Sequence, residues 1–241
     1  MNPSDLIIYD REKVTLDDIF LTVSGRTAVS QLIKEHYYVK NLQQYGLPIN
    51  NKLLLHGASG CGKTTTAKAV AHGLGRPLLI LNLSSIVSAR IGETAQHLKQ
   101  VFDKAARERA VLFLDEFDQI GKARGSDDRE VGEMRRLVNT LIQLIDYYPC
   151  SSLLIAATNH KDIIDHALLR RFQVTVSFEK PSKDELDIYY DQLIRHLPSH
   201  LRAINRIYHI SYAEARDSAF TQVKAMLIHQ LEQEYKEKIQ L

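Results

Sequence analysis

Cysteine is scarce in this chain, charges of the two signs nearly cancel, and long apolar runs are missing. There are two cysteines, and one of them, Cys61, lies inside a glycine-rich loop that a bridge to Cys150 would distort. Free thiols and a reducing cytoplasm are therefore expected. A formal net charge of +2 over 241 residues is too small to argue for a nucleic-acid or membrane surface. No apolar run approaches the ~20 residues that a bilayer span demands, so no membrane partner is expected. Residues 1–5 lack the basic start and following apolar stretch of a secretion signal. What is present is ordinary for a globular protein, with 44% hydrophobic and 25% charged residues. The length suits one large domain, or one domain with a small appendage.

The most informative stretch is Gly57-Ala-Ser-Gly-Cys-Gly-Lys63-Thr64, which fits the phosphate-binding pattern G-x-x-x-x-G-K-[ST]. Glycine at 57, 60 and 62 permits turns that a Cβ would obstruct. The backbone of Gly57, Ala58, Ser59, Gly60, Cys61, Gly62, Lys63, Thr64 and Thr65 can then aim N–H groups at the oxygens of a phosphate chain. Lys63 adds a point charge for the β- and γ-phosphates, and Thr64 offers a hydroxyl to Mg²⁺. Residues 52–56 read as a short buried strand. Residues 65–74 read as a helix, with Ala67, Val70, Ala71 and Leu74 at helical spacing. This strand, loop and helix order is the context the motif requires, because it sets a helix N-terminus beneath the phosphates. Cys61 reads as a redox-sensitive thiol or as a small side chain turned away from the nucleotide.

Residues 1–46 form a lead-in. The stretch 15–19 has the look of a helix start with acidic residues in its first turn, and 27–42 has helical character. Gly46 and Pro48 end it. Apolar runs then recur at 53–55, 78–81, 111–114, 153–157 and 174–178, the first four separated by helical stretches. Such runs suit strands buried on both faces, and alternation with helices argues a parallel sheet. After Pro181 the pattern changes. Ser182 with Glu185, and Ser211 with Glu214, are capping-box signatures, each opening a helical stretch with no strand between. Residues 182–241 are therefore expected to be a small helical domain, with 232–238 as its solvated charged end.

Three further signals sit at strand ends. Asp115 and Glu116 follow the buried run 111–114, at the sheet edge where open α/β folds bind ligands. Asp115 can hold Mg²⁺ through its water shell, and Glu116 can orient the water that attacks the γ-phosphorus. Thr158 and Asn159 end the next strand. Asn159 can bridge that water and the γ-phosphate, while Thr158 either supports it or caps the next segment. Arg170 and Arg171 end a short helix after Asp165. They read either as a basic helix end complementing the dipole, or as phosphate ligands for a nucleotide held by a neighbouring subunit.

In this order the signals resemble the AAA+ ATPases, and most of all the AAA clade of protein-remodelling enzymes, over nearly the whole chain. Residues 16–19 are similar to the clade's opening motif and 46–56 to its run into Walker A. Residues 111–116 resemble Walker B, Asn159 sensor 1, and 165–172 the second region of homology. Residues 133–146 look like the helix after Walker B. The doubled arginine without an intervening Pro-Gly is similar to the microtubule-severing and meiotic ATPases. The resemblance implies an α/β P-loop NTPase fold: a parallel sheet sandwiched by helices, then a small all-helical lid. It implies a lead-in at 1–46, a nucleotide-binding domain at 47–181 and a lid at 182–241. It also implies ATP and Mg²⁺ as ligands, Glu116, Lys63, Asn159, Arg170 and Arg171 as catalytic groups, and a homo-oligomeric, hexameric ring acting on a protein substrate.

Two departures from the family pattern bear on partners. Arg90 stands where the first pore loop usually carries an aromatic residue, ahead of Ile91 and Gly92. The chain also leaves almost no room for an N-terminal recognition domain, which points to a separate partner effector. Two competing readings stay open. One is a DNA-associated loader or transposition helper, supported by Arg90, Lys122 and Arg124 and opposed by the low net charge. The other is a nucleotide-gated scaffold that controls a separate enzyme. His196 and His200 have a metal-compatible spacing, but Pro198 between them argues against a zinc site. Tyr189 and Tyr190 are expected to pack the lid, and His160, Asp162 and His166 to cap and turn the chain.

Overall fold

The structure, a computed structural model, describes residues 6–87, 91–122 and 128–239. Arg90 and Arg124 lie outside the described residues, as does the side chain of Lys122. The described residues form two compact units: those within Met1–Gly57 and Gly62–Phe178, and those within Ala58–Cys61 and Glu179–Leu241.

The first unit opens with strand β1 (Ile7–Asp10), a 3₁₀ turn at Leu16–Asp18, and helices α1 (Val23–Tyr37) and α2 (Val39–Gln44). Then come β2 (Lys52–Gly57), α3 (Lys63–Gly73), β3 (Leu78–Asn82), α4 (Leu83–Val87) and α5 (Ile91–Glu108). They are followed by β4 (Val111–Asp115), α6 (Gln119–Lys122), α7 (Asp128–Asp146), β5 (Leu153–Thr158), α8 (His166–Leu169) and β6 (Val174–Phe178). Among the described residues the strands form a six-stranded sheet ordered β1-β3-β4-β5-β2-β6, parallel throughout except for β1.

The five parallel strands fall where the apolar runs predict them; β2, β4 and β5 are central and covered on both faces, while β6 is an edge strand that buries Val176 and Phe178 on one face. Along β4, Leu112 and Leu114 join a core with Leu98, Val101, Phe102 and Ala105 of α5, and with Leu137, Leu141 and Ile145 of α7. Those helix positions recur every three or four residues, which is one face of each helix. Val111 and Phe113 alternate to the other face, which α3 covers. All six residues of β5 are buried. Full burial of each such Leu or Ile is worth about 1.5–3 kcal/mol.

The lead-in holds more structure than its sequence announces. β1 pairs antiparallel with β3, Ile7 opposite Leu81, and its Asp10 receives a 2.8 Å ion pair from Lys68 of α3. The expected helix start at 15–19 is the 3₁₀ turn, closed by a capping box between Thr15 and Asp18. The helical stretch at 27–42 divides at Tyr38 into α1 and α2.

In the second unit, α9 (Lys183–Ile194) and α10 (Tyr212–Ile239) enclose a small core of Leu186, Tyr190, Ala215 and Ala219. Both capping boxes form: Ser182 with Glu185, and Ser211 with Glu214. Tyr190 is buried, and its hydroxyl donates to the Ile207 carbonyl at 2.9 Å. Tyr189 packs edge-on against Tyr212.

Candidate active site

The sheet order decides which loops meet. β5 lies between β2 and β4, with His56 opposite Thr158 and Leu114 opposite Ala156. The glycine loop after β2, the carboxylates after β4 and Asn159 after β5 therefore leave the sheet side by side, at the carboxyl edge where such folds bind ligands.

Gly57 ends β2 at a point where the chain passes close to a neighbour. A Cβ there would sit 1.9 Å from the Phe178 carbonyl oxygen, and φ is +129°. No other residue fits, so a glycine begins the loop for a packing reason. Lys63 turns back across the loop, its ammonium donating to the Gly57 carbonyl at 2.8 Å. Lys63 also opens α3, whose N-cap is Gly62 with no capping side chain. Nothing on that residue covers the positive end of the helix dipole, which is the arrangement that receives an anion. The loop tip, 58–61, belongs to the second unit. There the Gly60 carbonyl accepts from the Ala213 N–H at 3.1 Å. A Cβ on Gly60 would meet Ser211 Oγ at 2.6 Å. Cys61 is buried, and both cysteines are free.

Asp115 ends β4 half-buried, its Oδ1 accepting from the Glu116 N–H at 2.9 Å. Burial pushes its carboxyl above the usual value, and the charges of Glu116 and Asp118 add to this. The Glu116 N–H bond and the Lys63 charge oppose it. Glu116 itself holds a left-handed backbone, φ +53°, which is costly for a side chain of its kind. Its carbonyl accepts from Gln119 N–H, and the next residue, Phe117, donates to the Ala157 carbonyl at 2.8 Å. Asn159 is exposed at the end of β5. Thr158 caps the following turn by accepting from the His160 N–H, and its hydroxyl donates to Asp118.

The two arginines differ. Arg171 makes a two-pronged ion pair with Asp146 at the end of α7, both contacts 2.8 Å, and donates to the Ala167 carbonyl as well. Arg170 is the C-cap of α8 and is exposed, with no side-chain partner among the described residues. Phe172 beside them meets Phe117 edge-on, ring centres 5.5 Å apart. The segment bearing the arginines is thus packed against the residue that follows Glu116.

Two residues of this neighbourhood are not flagged by the sequence pattern. Asp118 is a buried carboxylate between Phe117 and Gln119, and the only cue is a third acid close behind Asp115 and Glu116. Asp146 gives no cue at all, since it reads as the polar end of a helix.

Residues 53–180 match the family model described as the ATPase family associated with various cellular activities (AAA). The chain belongs to the AAA ATPases. Its relatives agree. An uncharacterized AAA family ATPase of Sinorhizobium fredii is 33% identical over 220 residues, covering 90% of this chain and 66% of that protein. An ATP-dependent zinc metalloprotease FtsH 3 of Symbiobacterium thermophilum is 31% identical over 196 residues, 76% of this chain and 30% of that one. A putative 26S proteasome regulatory subunit homolog of Methanothermobacter thermautotrophicus is 26% identical over 191 residues, 78% of this chain and 50% of that one. The chain thus spans two-thirds of the first relative's length at most, and less of the others. This places it in the AAA clade of the AAA+ ATPases, with the clade's P-loop α/β fold followed by helices. Among the described residues of this AAA ATPase, no helix is long and apolar enough to cross a membrane.

Proposed function

We propose that this AAA ATPase hydrolyses ATP with residues of its own sheet edge and arginines of a neighbouring copy, and uses the cycle to remodel a protein partner. The convergence of the glycine loop, the Asp115–Glu116 pair and Asn159 at one edge of the sheet carries the reading. In it, residues 57–65 cradle the phosphates, and Lys63 neutralises the β- and γ-oxygens. Glu116 polarises the attacking water, and Asn159 holds that water against the γ-phosphate. Arg170 and Arg171 of the next protomer meet the charge that builds on the γ-phosphoryl group; such an arginine is worth ~10³ or more in rate.

The donor set suits Mg²⁺. The Thr64 hydroxyl and the Asp115 carboxylate are hard oxygen ligands, and Asp115 is desolvated beside two further carboxylates, so a cation relieves its raised pKa. Held by Thr64 and Asp115, Mg²⁺ would supply positive charge to offset that of the phosphates.

A site completed by the next subunit repeats head to tail, and the assembly in this reading closes into a homo-oligomeric ring; that the ring is a hexamer is what the family resemblance implies. Residues 47–181 form its nucleotide-binding domain and 182–241 its lid, preceded by the lead-in 1–46. A protein partner is favoured by the relatives named as a protease and a proteasome regulatory subunit homolog. Two free thiols suit the reducing cytoplasm.

The test is Glu116→Gln. The variant should bind Mg-ATP as tightly as the parent and turn it over at least ~10²-fold more slowly. Undiminished turnover in a folded Glu116→Gln protein would remove the assignment. The polypeptide, DNA or stoichiometric effector that co-purifies with the ATP-locked variant identifies the partner class.

A further inference from the structure

Asp118 has no place in the hydrolytic mechanism, yet the residue is only 2% exposed. A carboxylate is not taken from water without fixed partners. Its Oδ1 accepts from the Thr158 hydroxyl at 2.9 Å. That same hydroxyl accepts from the His160 N–H at 3.0 Å. Asn159 lies between these two anchored residues. One position before Asp118, the Phe117 N–H donates to the Ala157 carbonyl at 2.8 Å. Segments 115–118 and 157–160 are therefore stitched together twice, once through backbone and once through buried side chains. Glu116 and Asn159 each stand next to a stitch. Glu116 also carries the left-handed backbone, which persists only where the surroundings over-determine it.

We propose that Asp118 and Thr158 form a positioning clasp that sets Asn159 relative to Glu116, so that the two groups hold one attacking water between them. The proposal rests on the ATPase reading of this site. Neither clasp residue touches nucleotide; both act through their neighbours. Misplacing a group by about 1 Å can cost ~10²-fold in rate. A loosened clasp therefore shows in turnover, while binding, which belongs to residues 57–65, is spared.

The experiment compares Thr158→Val, Thr158→Ser, Asp118→Ala and the double variant Asp118→Ala with Thr158→Val. Steady-state ATPase assays give kcat and KM, and a fluorescent ATP analogue gives Kd. Thr158→Val keeps the shape and removes the hydroxyl; kcat should fall roughly ten- to hundredfold with KM and Kd nearly unchanged. Thr158→Ser restores the hydroxyl and most of kcat. The double variant should be no slower than either single one, because both remove the same bond. Parent-like kcat in Thr158→Val overturns the clasp, as does equal loss in Thr158→Ser and Thr158→Val, or a parallel loss of nucleotide binding. Should Asp118→Ala fail to fold, the valine–serine pair decides alone. Glu116→Gln serves as the control on the underlying reading. If it stays active, that reading falls; if it is inactive while Thr158→Val is not, only the clasp falls.

Discussion

Arg170 and Arg171 are adjacent in sequence but not in circumstance. Arg171 is held by Asp146 and by the Ala167 carbonyl, its side chain 17% exposed, whereas Arg170 reaches solvent. Removing Arg171 leaves Asp146 unpaired at the C-terminus of α7, where the helix dipole disfavours a negative charge. Arg171→Ala should therefore lose about 1 kcal/mol of stability in chemical denaturation, besides losing turnover. Arg170→Ala should leave the denaturation midpoint within about 0.5 kcal/mol of the parent and lose turnover alone. Full turnover in Arg170→Ala would remove it from the trans site. A second expectation concerns acid. His36 is buried, its Nε2 donating to the Asn50 carbonyl at 3.0 Å and its Nδ1 without a hydrogen-bond partner among the described residues. Burial foremost lowers its pKa below the usual 6.5; Arg76 lowers it further, and the Asn50 bond and Glu35 oppose. The unfolded chain then binds the proton more readily, so the stability held above pH 6.5 drains away as pH falls toward the folded value. Between about pH 7.5 and about pH 5.5, His36→Gln should lose less stability than the parent. His56, also lowered by burial, is present in both proteins and cancels in the comparison. None of these pairings is legible in sequence, because Arg171 meets Asp146 across 25 residues and Thr158 meets Asp118 across 40.

Elements were legible where burial is two-sided. β2, β4 and β5 are continuous apolar runs because helices cover both faces, and the glycine loop, the acids and Asn159 are local signals attached to their ends. β1 escaped notice because it is a four-residue edge strand with one buried side chain, Ile7, while Ile8 is 64% exposed. Its apolar run, residues 6–9, is short and stands apart from the strand–helix alternation that begins at residue 52, and its place is set by β3 and by Lys68. That lysine bonds Asp10 at 2.8 Å and Glu12 at 2.6 Å. Burial alone would raise the Asp10 pKa, but the bonds from Lys68 and from the Glu12 N–H outweigh it and hold it low. Lys68→Met should release β1 while sparing the sheet centre. Hydrogen exchange should quicken at the amides of β1, with those of β4 and β5 unchanged, for a loss of about 1 kcal/mol. Uniform quickening across the sheet would show that Lys68 supports the whole unit instead of its edge.

At the scale of the whole molecule, the groups proposed to bind phosphate and handle water are written in contiguous motifs, while the proposed contribution of a second copy depends on how copies meet, which no local pattern encodes. The structure offers one physical link between Glu116 and the arginines. Phe117, next to Glu116, packs edge-on against Phe172, next to the arginines, so the segments bearing Glu116 and the arginines share one packed core. If the arginines act in trans, Glu116→Gln and Arg170→Ala are inactive for different reasons and repair each other. In an equal mixture, roughly a quarter of interfaces join an intact glutamate to an intact arginine. Mixing the two inactive proteins under conditions that exchange subunits should then restore ATPase activity to a measurable fraction of the parent rate. On dilution the parent's specific activity should fall as the ring comes apart, and at high salt sooner if charged contacts hold the interface. Specific activity that stays constant down to the monomer, with no recovery on mixing, would mean that a lone protomer encloses the whole reaction. The exposed Arg170 would then be the ordinary basic end of a short helix.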